Sequence, residues 1–372
     1  MSRTNWKKGV LLLFATMLVV VLAAGCGKKK NEEGTAPGET EGKVIVTYKD
    51  GTVTEKEFDK YATFFGIVQP QTEMYLSIPQ LKEQFLREYV GYKILKARIG
   101  DKEDKALEEE INTFYTQIKQ QIDATPEVKA KADKVGLTEA DIRYFYTMIT
   151  SIMKDEESKV TDADVKAQFD KTKDDYNVIS VRHILIGTVN PETGEETRKE
   201  EEALKIAQDV KKKLDAGGDW KALAKEFSDD TGSKENGGLY ENEPAKSWVA
   251  EFKEAANKQE IGKVGEPVKS SYGYHVMKVE KREATSFDKL TEEDKAELKQ
   301  IVASENLNTF MTKELPDLIT KVDLPAADAG AANGTEGGAT NGETDGTKDN
   351  GAAGGDETPD AGSAGNKEEP TK

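Results

Sequence analysis

The side chains with the sharpest chemistry in this chain are few: one cysteine, Cys26, and two histidines, His183 and His275. A lone cysteine cannot close an intramolecular disulfide, and this ligand count excludes a structural zinc site of the Cys/His kind. Both histidines fall in apolar, strand-like stretches: His183 in Val-Ile-Ser-Val-Arg-His-Ile-Leu-Ile, His275 in Gly-Tyr-His-Val. An imidazole there is either a satisfied core group or a hydrogen-bonding ring, tunable near neutral pH, that serves a site.

The elements that must position these rings lie between Tyr176 and Lys281. Val178–Ile186 reads as a strand. Glu195–Leu214 is a charged amphipathic helix, ended by Gly217-Gly218. Trp220–Phe227 and Ser247–Lys258 are further helices, and Glu266–Lys269 and His275–Lys281 are strands flanking Ser270–Tyr274. The order β-α-α-α-β-β predicts an α+β module with an antiparallel sheet.

The flanks read differently. Val44–Tyr48 alternates as a short strand, Asp50-Gly51 turns, and Thr54 with Glu57 forms a capping box that starts a helix. Helices are expected over Ile78–Ile99, Lys102–Ile122, Thr138–Ser151 and from Thr161. Aromatic and Met side chains are frequent here, among them Phe64, Phe65, Met74, Tyr75, Tyr144, Phe145, Tyr146, Met148 and Met153. Most serve a helical core; the remainder could line a groove for unfolded segments, since such side chains adapt to varied partners. From Ser286 to Val322 apolar residues recur at helical spacing without a core of their own, so these helices are expected to pack back on the N-terminal ones. The middle module would then be inserted into one discontinuous helical domain. The boundaries read 43–175, 176–282 and 283–323. The formal net charge of −17 argues against a nucleic-acid partner.

Both ends carry their own signals. Arg3, Lys7 and Lys8 precede the apolar run Val10–Ala24, the pattern of a secretory signal over residues 1–25. Ala23-Ala24-Gly25 leads into Cys26 and resembles a bacterial lipobox, which implies cleavage before Cys26 and diacylglyceryl modification of its thiol. Leucine is commonest three residues before such a cysteine, where Ala23 stands. Residues 26–42 are polar and read as a tether. Residues 324–372 are almost free of large apolar side chains and are expected to be a disordered tail.

Five stretches of the middle module, in order, resemble the parvulin family. They are Arg182-His183-Ile184-Leu185-Ile186; Phe227-Ser228-Asp229-Asp230 after Leu223-Ala224; Asn236-Gly237-Gly238-Leu239; Gly265-Glu266-Pro267-Val268; and Gly273-Tyr274-His275-Val276. With the lipobox and the split helical flanks, the chain is similar to the PrsA-type foldase lipoproteins. The resemblance implies a peptidyl-prolyl cis-trans isomerase that needs no cofactor and no metal. Its catalytic group would be His183, Asp230, His275 and Ser270, and Leu239, Trp248 and Phe252 would grip the proline ring. It further implies unfolded exported proteins as substrates and a single-membrane bacterium; the lipobox implies the outer face of the cytoplasmic membrane, and a homodimer through the helices is compatible with the sequence without being indicated by it. The chain departs from the family pattern in three places. Gly237-Gly238 runs straight into Leu239-Tyr240-Glu241 without the usual aspartate and last glycine, Trp248 stands where methionine is common, and Asn257 where phenylalanine usually packs. These departures motivate an alternative, a chaperone whose parvulin module is catalytically weak or inactive. A third reading, a transporter's solute-binding lipoprotein, conflicts with the absence of alternating parallel βα units.

Overall fold

The structure is a computed structural model that describes residues 42–100, 107–190 and 193–324. The expected signal, Cys26, most of the tether and nearly all of the tail lie outside the described residues.

The N-terminal part begins with β1 (Val44–Tyr48) and β2 (Gly51–Thr54), an antiparallel hairpin. Helices α1 (Glu55–Val68), α2 (Gln71–Leu76), α3 (Pro79–Ile99), α4 (Glu108–Ala124), α5 (Pro126–Val135), α6 (Glu139–Lys159) and α7 (Asp162–Thr172) follow. Thr54, Thr138 and Thr161 cap α1, α6 and α7 in reciprocal boxes with Glu57, Asp141 and Asp164. Each cap contributes about 1 kcal/mol by giving orphan N–H groups an acceptor. Tyr61, Phe85, Tyr89 and Phe145 form the centre of the core, with Tyr61 stacked on Tyr89 at a centroid distance of 4.1 Å. Phe64, Phe65, Tyr146 and Met148 are also buried in it, so they are core rather than groove. Met74, 63% exposed, and Ile78, 44% exposed, lie at the α2–α3 junction.

The second sheet comprises β3 (Val178–Gly187), β4 (Leu239–Pro244), β5 (Val268–Ser270) and β6 (Gly273–Glu283) in the antiparallel order β4-β3-β6-β5. Helices α8 (Glu200–Asp215) and α9 (Trp220–Phe227) cover one face, packing Ala203, Ala207, Val210 and Leu223 on Ile184, Ile186, Tyr274 and Val276. Helix α10 (Ala250–Lys258) covers the other, where Phe252 and Ala256 meet Ile179, Val181, Met277 and Val279. Val178 pairs with Glu283, so the chain enters and leaves this sheet at neighbouring points on adjacent strands.

Beyond it run α11 (Glu292–Thr309), a π-helical turn at Phe310–Glu314, α12 (Leu315–Leu318) and β7 (Ile319–Val322). Leu307, Phe310 and Leu315 enter the same core as the N-terminal helices, and Val322 pairs with Val46. A smaller cluster around Phe169, Tyr176, Leu290 and Leu298 lies where the two parts of the chain meet. Lys246, in the turn before α10, bonds Asp294 and Glu297 of α11 at 2.6 Å each.

Several elements differ from the sequence expectation. Strand β4 was not expected: its residues Leu-Tyr-Glu-Asn-Glu-Pro look like loop, but an edge strand tolerates charge and a terminal proline. Helix α8 starts at Glu200 because Val189 bridges to Glu196 and the Thr197 N–H donates to the Thr188 carbonyl at 2.9 Å, which holds the preceding residues out of the helix. Helix α5, also not expected, opens on Pro126, a residue that suits a first helical turn. Helix α6 runs on to Lys159, and Ile319–Val322 is strand rather than helix because β1 offers it an unpaired edge. Asn257 accepts from the Asn177 amide at 2.8 Å and donates to the Asp174 carbonyl at 3.0 Å, so a polar side chain there ties the entry to β3.

Candidate active site

Strand alternation sends His183 and His275 to the α10 face of the second sheet. Both are 5% exposed, with ring centroids 5.5 Å apart and planes 25° from parallel. Phe252 meets both edge-on, at 5.2 and 5.1 Å, and Trp248 meets Phe252 at 5.0 Å. Two walls of the site are thus aromatic, and the floor is the imidazole pair.

The third wall is the loop after α9. Its paired acids point in different directions. Asp229 accepts from the Gly187 N–H and the Arg198 guanidinium, both at 2.8 Å, which stitches the loop to the end of β3. Ser228 accepts from the Leu185 N–H at 3.2 Å and from the Asp230 N–H at 3.3 Å. Asp230 is thereby turned inward, and its Oδ2 lies 2.9 Å from His183 Nε2. Ser233 donates to the same oxygen, and the Gly232 N–H donates to Oδ1 at 3.1 Å. Half-burial pushes the Asp230 carboxyl up. The bonds from His183 and Ser233, the attraction of a charged His183 and the Gly232 N–H outweigh it and hold the group well below the ordinary carboxylate range.

An ionised Asp230 fixes the direction of the remaining bonds when both rings are neutral. His183 must carry its proton on Nε2 to donate to Asp230, so its Nδ1 is an acceptor. His275 Nδ1, 3.3 Å away, must then donate to it, which leaves His275 Nε2 to accept from Ser270 Oγ at 2.7 Å. The result is one line of hydrogen bonds, Ser270 to His275 to His183 to Asp230. Every ring nitrogen is satisfied in it, so the rings are locked in tautomer and orientation.

Burial pushes His275 down to about 3; a charge on His183 adds to this and Asp230 partly offsets it. The unfolded ring titrates near its ordinary value, so below about pH 6.5 the unfolded chain takes up a proton that the folded site refuses. Stability conferred on the neutral ring therefore falls as pH drops from about 6.5 toward about 3. At pH 5 the expected loss relative to pH 8 is about 2 kcal/mol, at ~1.4 kcal/mol per unit. Urea melts of the wild type and of His275→Asn at both pH values check this; the same pH difference in both proteins contradicts it.

The sequence expectations for the site fare unevenly in position. His183, His275, Asp230, Ser270, Trp248 and Phe252 come together. Leu239 does not: it pairs with Arg182, on the sheet face away from the histidines. Its neighbour Tyr240 pairs with Val181 and takes the place beside the rings, its own ring 5.5 Å from His183 and its hydroxyl 3.1 Å from Asp230 Oδ2. Recognising β4 as a strand would have given this parity. Ser233, three residues past Asp230 and only 2% exposed, was also not anticipated and has no local signature.

The model of the PPIC-type PPIase domain matches residues 165–283. The foldase protein PrsA 3 of Bacillus anthracis is 29% identical over 326 residues, 87% of this chain and 95% of that protein. The foldase protein PrsA of Geobacillus sp. strain WCH70 is 33% identical over 289 residues, 76% of this chain and 87% of that protein. A crystal structure of the peptidylprolyl isomerase PrsA from Bacillus cereus is 27% identical, covering 74% of this chain and 90% of that one with a TM-score of 0.38. A chain so related along most of its length, with an isomerase-type module in its middle, belongs to the PrsA foldase family and is a parvulin-type peptidyl-prolyl cis-trans isomerase.

Proposed function

We propose that this chain is a lipid-anchored foldase of the outer face of the cytoplasmic membrane, isomerising Xaa-Pro bonds in exported proteins and holding their unfolded segments meanwhile. Its division would be a signal over 1–25, a lipidated tether over 26–42, a helical chaperone part over 43–175 and 283–323, the isomerase over 176–282 and a tail over 324–372. The observation that carries the catalytic reading is the hydrogen-bonded line from Ser270 through both histidines to Asp230, set against Phe252 and Trp248.

The chemistry asks for no bond to be made or broken. Resonance gives the amide partial double-bond character, and rotation costs about 18–20 kcal/mol. That resonance places negative charge on the carbonyl oxygen. An ionised Asp230 beside this oxygen disfavours the planar, charge-separated form and so favours the twisted amide, whose stabilisation alone accelerates the step. Phe252 and Trp248 exclude water and hold the proline ring. The histidines keep Asp230 charged and aimed without giving up a proton. For the helical part, Met74 and Ile78 supply exposed apolar surface for unfolded chain. A homodimer through these helices is compatible with the reading.

Anchoring rests on the basic start, the apolar run and Cys26. No helix among the described residues is long and apolar enough to cross a membrane. In cells fed labelled palmitate, the wild type is expected in the membrane fraction carrying label. Cys26→Ser is expected to lose the label, and the acceleration of Xaa-Pro exchange is expected to follow it into the soluble fraction. Label or membrane retention unchanged in Cys26→Ser would sink the anchoring.

A further inference from the structure

The double-glycine turn runs directly into Leu239-Tyr240, and strand alternation then delivers a phenol to the histidine face. Its ring lies against His183 at 5.5 Å, and its hydroxyl donates to Asp230 Oδ2 at 3.1 Å. Space for the hydroxyl is left by Gly232, where a Cβ would come within 3.1 Å of it. Burial and the neighbouring Asp230 raise the phenol's pKa, so it remains a donor.

The donors to Asp230 fall into two kinds. Ser233 and Gly232 belong to the carboxylate's own loop and move with it. His183 and Tyr240 come from strands of the sheet and fix the loop relative to it. Asp229 and Ser228 already tie the loop backbone to β3, and His183 belongs to the line of bonds itself, which leaves Tyr240 as the further sheet donor to the Asp230 carboxylate. We infer that Tyr240 is a positioning residue for the isomerase reaction: its hydroxyl clamps the Asp230 carboxylate to the sheet and sets where that charge stands against the substrate carbonyl.

The inference rests on the role proposed for Asp230, and its test separates the two. In the full chain, Tyr240→Phe keeps the ring against His183 and removes only the hydroxyl. Because a hydrogen bond to a charged group is lost, kcat/KM for a short Ala-Pro peptide is expected to fall roughly three- to tenfold, in kcat with KM held. In an Asp230→Asn background, where the clamp has no charge to place, the same substitution is expected to change nothing further. Thermal melts establish that each variant is folded. Full activity in Tyr240→Phe, with Asp230→Asn impaired, overturns the clamp and leaves the site reading standing. An equal loss in both backgrounds also overturns it, because ring packing alone would act that way. Full activity in Asp230→Asn overturns the site reading and the clamp together.

Discussion

Asp230→Asn is expected to lower kcat/KM for short Xaa-Pro peptides by roughly a hundredfold, the size typical of losing one preorganised electrostatic group. The substitution is close to isosteric. Its side-chain oxygen can still accept from His183 Nε2, so the imidazole line and the fold should persist. What disappears is the negative charge held among His183, Ser233 and Tyr240, together with the bond from the Gly232 N–H to Oδ1, where the amide NH2 now stands. The bonds from His183 and Ser233, the attraction of a charged His183 and the Gly232 N–H keep this group ionised against half-burial. A loss in activity without a change in melting temperature would separate charge from scaffold. A folded variant with more than half the wild-type rate would show that the site works by apolar grip alone.

Gly238→Ala is expected to act on the scaffold instead. Gly238 has a φ of +71°, and a Cβ there would lie 1.9 Å from the His183 carbonyl oxygen. The Gly238 carbonyl accepts from the His183 N–H at 2.8 Å, so the strand carrying the His183 imidazole cannot step aside without losing its pairing. Backbone strain of about 1–2 kcal/mol and overpacking of about 1–3 kcal/mol add to an expected loss of about 2–5 kcal/mol. For a module of this size that corresponds to a drop of about 8 °C or more in its melting temperature. Gly262→Ala is the control: its φ is +84°, but nothing lies within 4 Å of the added carbon, so only the strain should remain. Similar melting temperatures for the two variants would contradict the close approach of β4 to His183.

Much of this architecture was legible because its signals are local. The threonine capping boxes, the alternation of Val178–Ile186 and the glycine pair after α8 are each encoded within a few residues. What was not legible depends on partners far along the chain. Ile319–Val322 becomes strand only because β1 lies open beside it. β4 looks like loop because an edge needs little apolar content, and missing it cost the parity that separates Tyr240 from Leu239. Asn257 reads as a lost core residue, yet its amide fixes the segment that feeds β3. The histidines were legible for a different reason. There are two in the whole chain, each in an apolar strand-like stretch, and the fold brings their Nδ1 atoms to 3.3 Å from each other.

The central claim is that an ionised Asp230, held by the histidine line, loosens the prolyl amide. Its most direct test is exchange NMR of a short Ala-Pro peptide with substoichiometric full-length chain, wild type beside Asp230→Asn. The account predicts cis/trans exchange well above the uncatalysed rate with the wild type and a return close to that rate with the variant. Equal acceleration by both proteins, or none by the folded wild type, would contradict it.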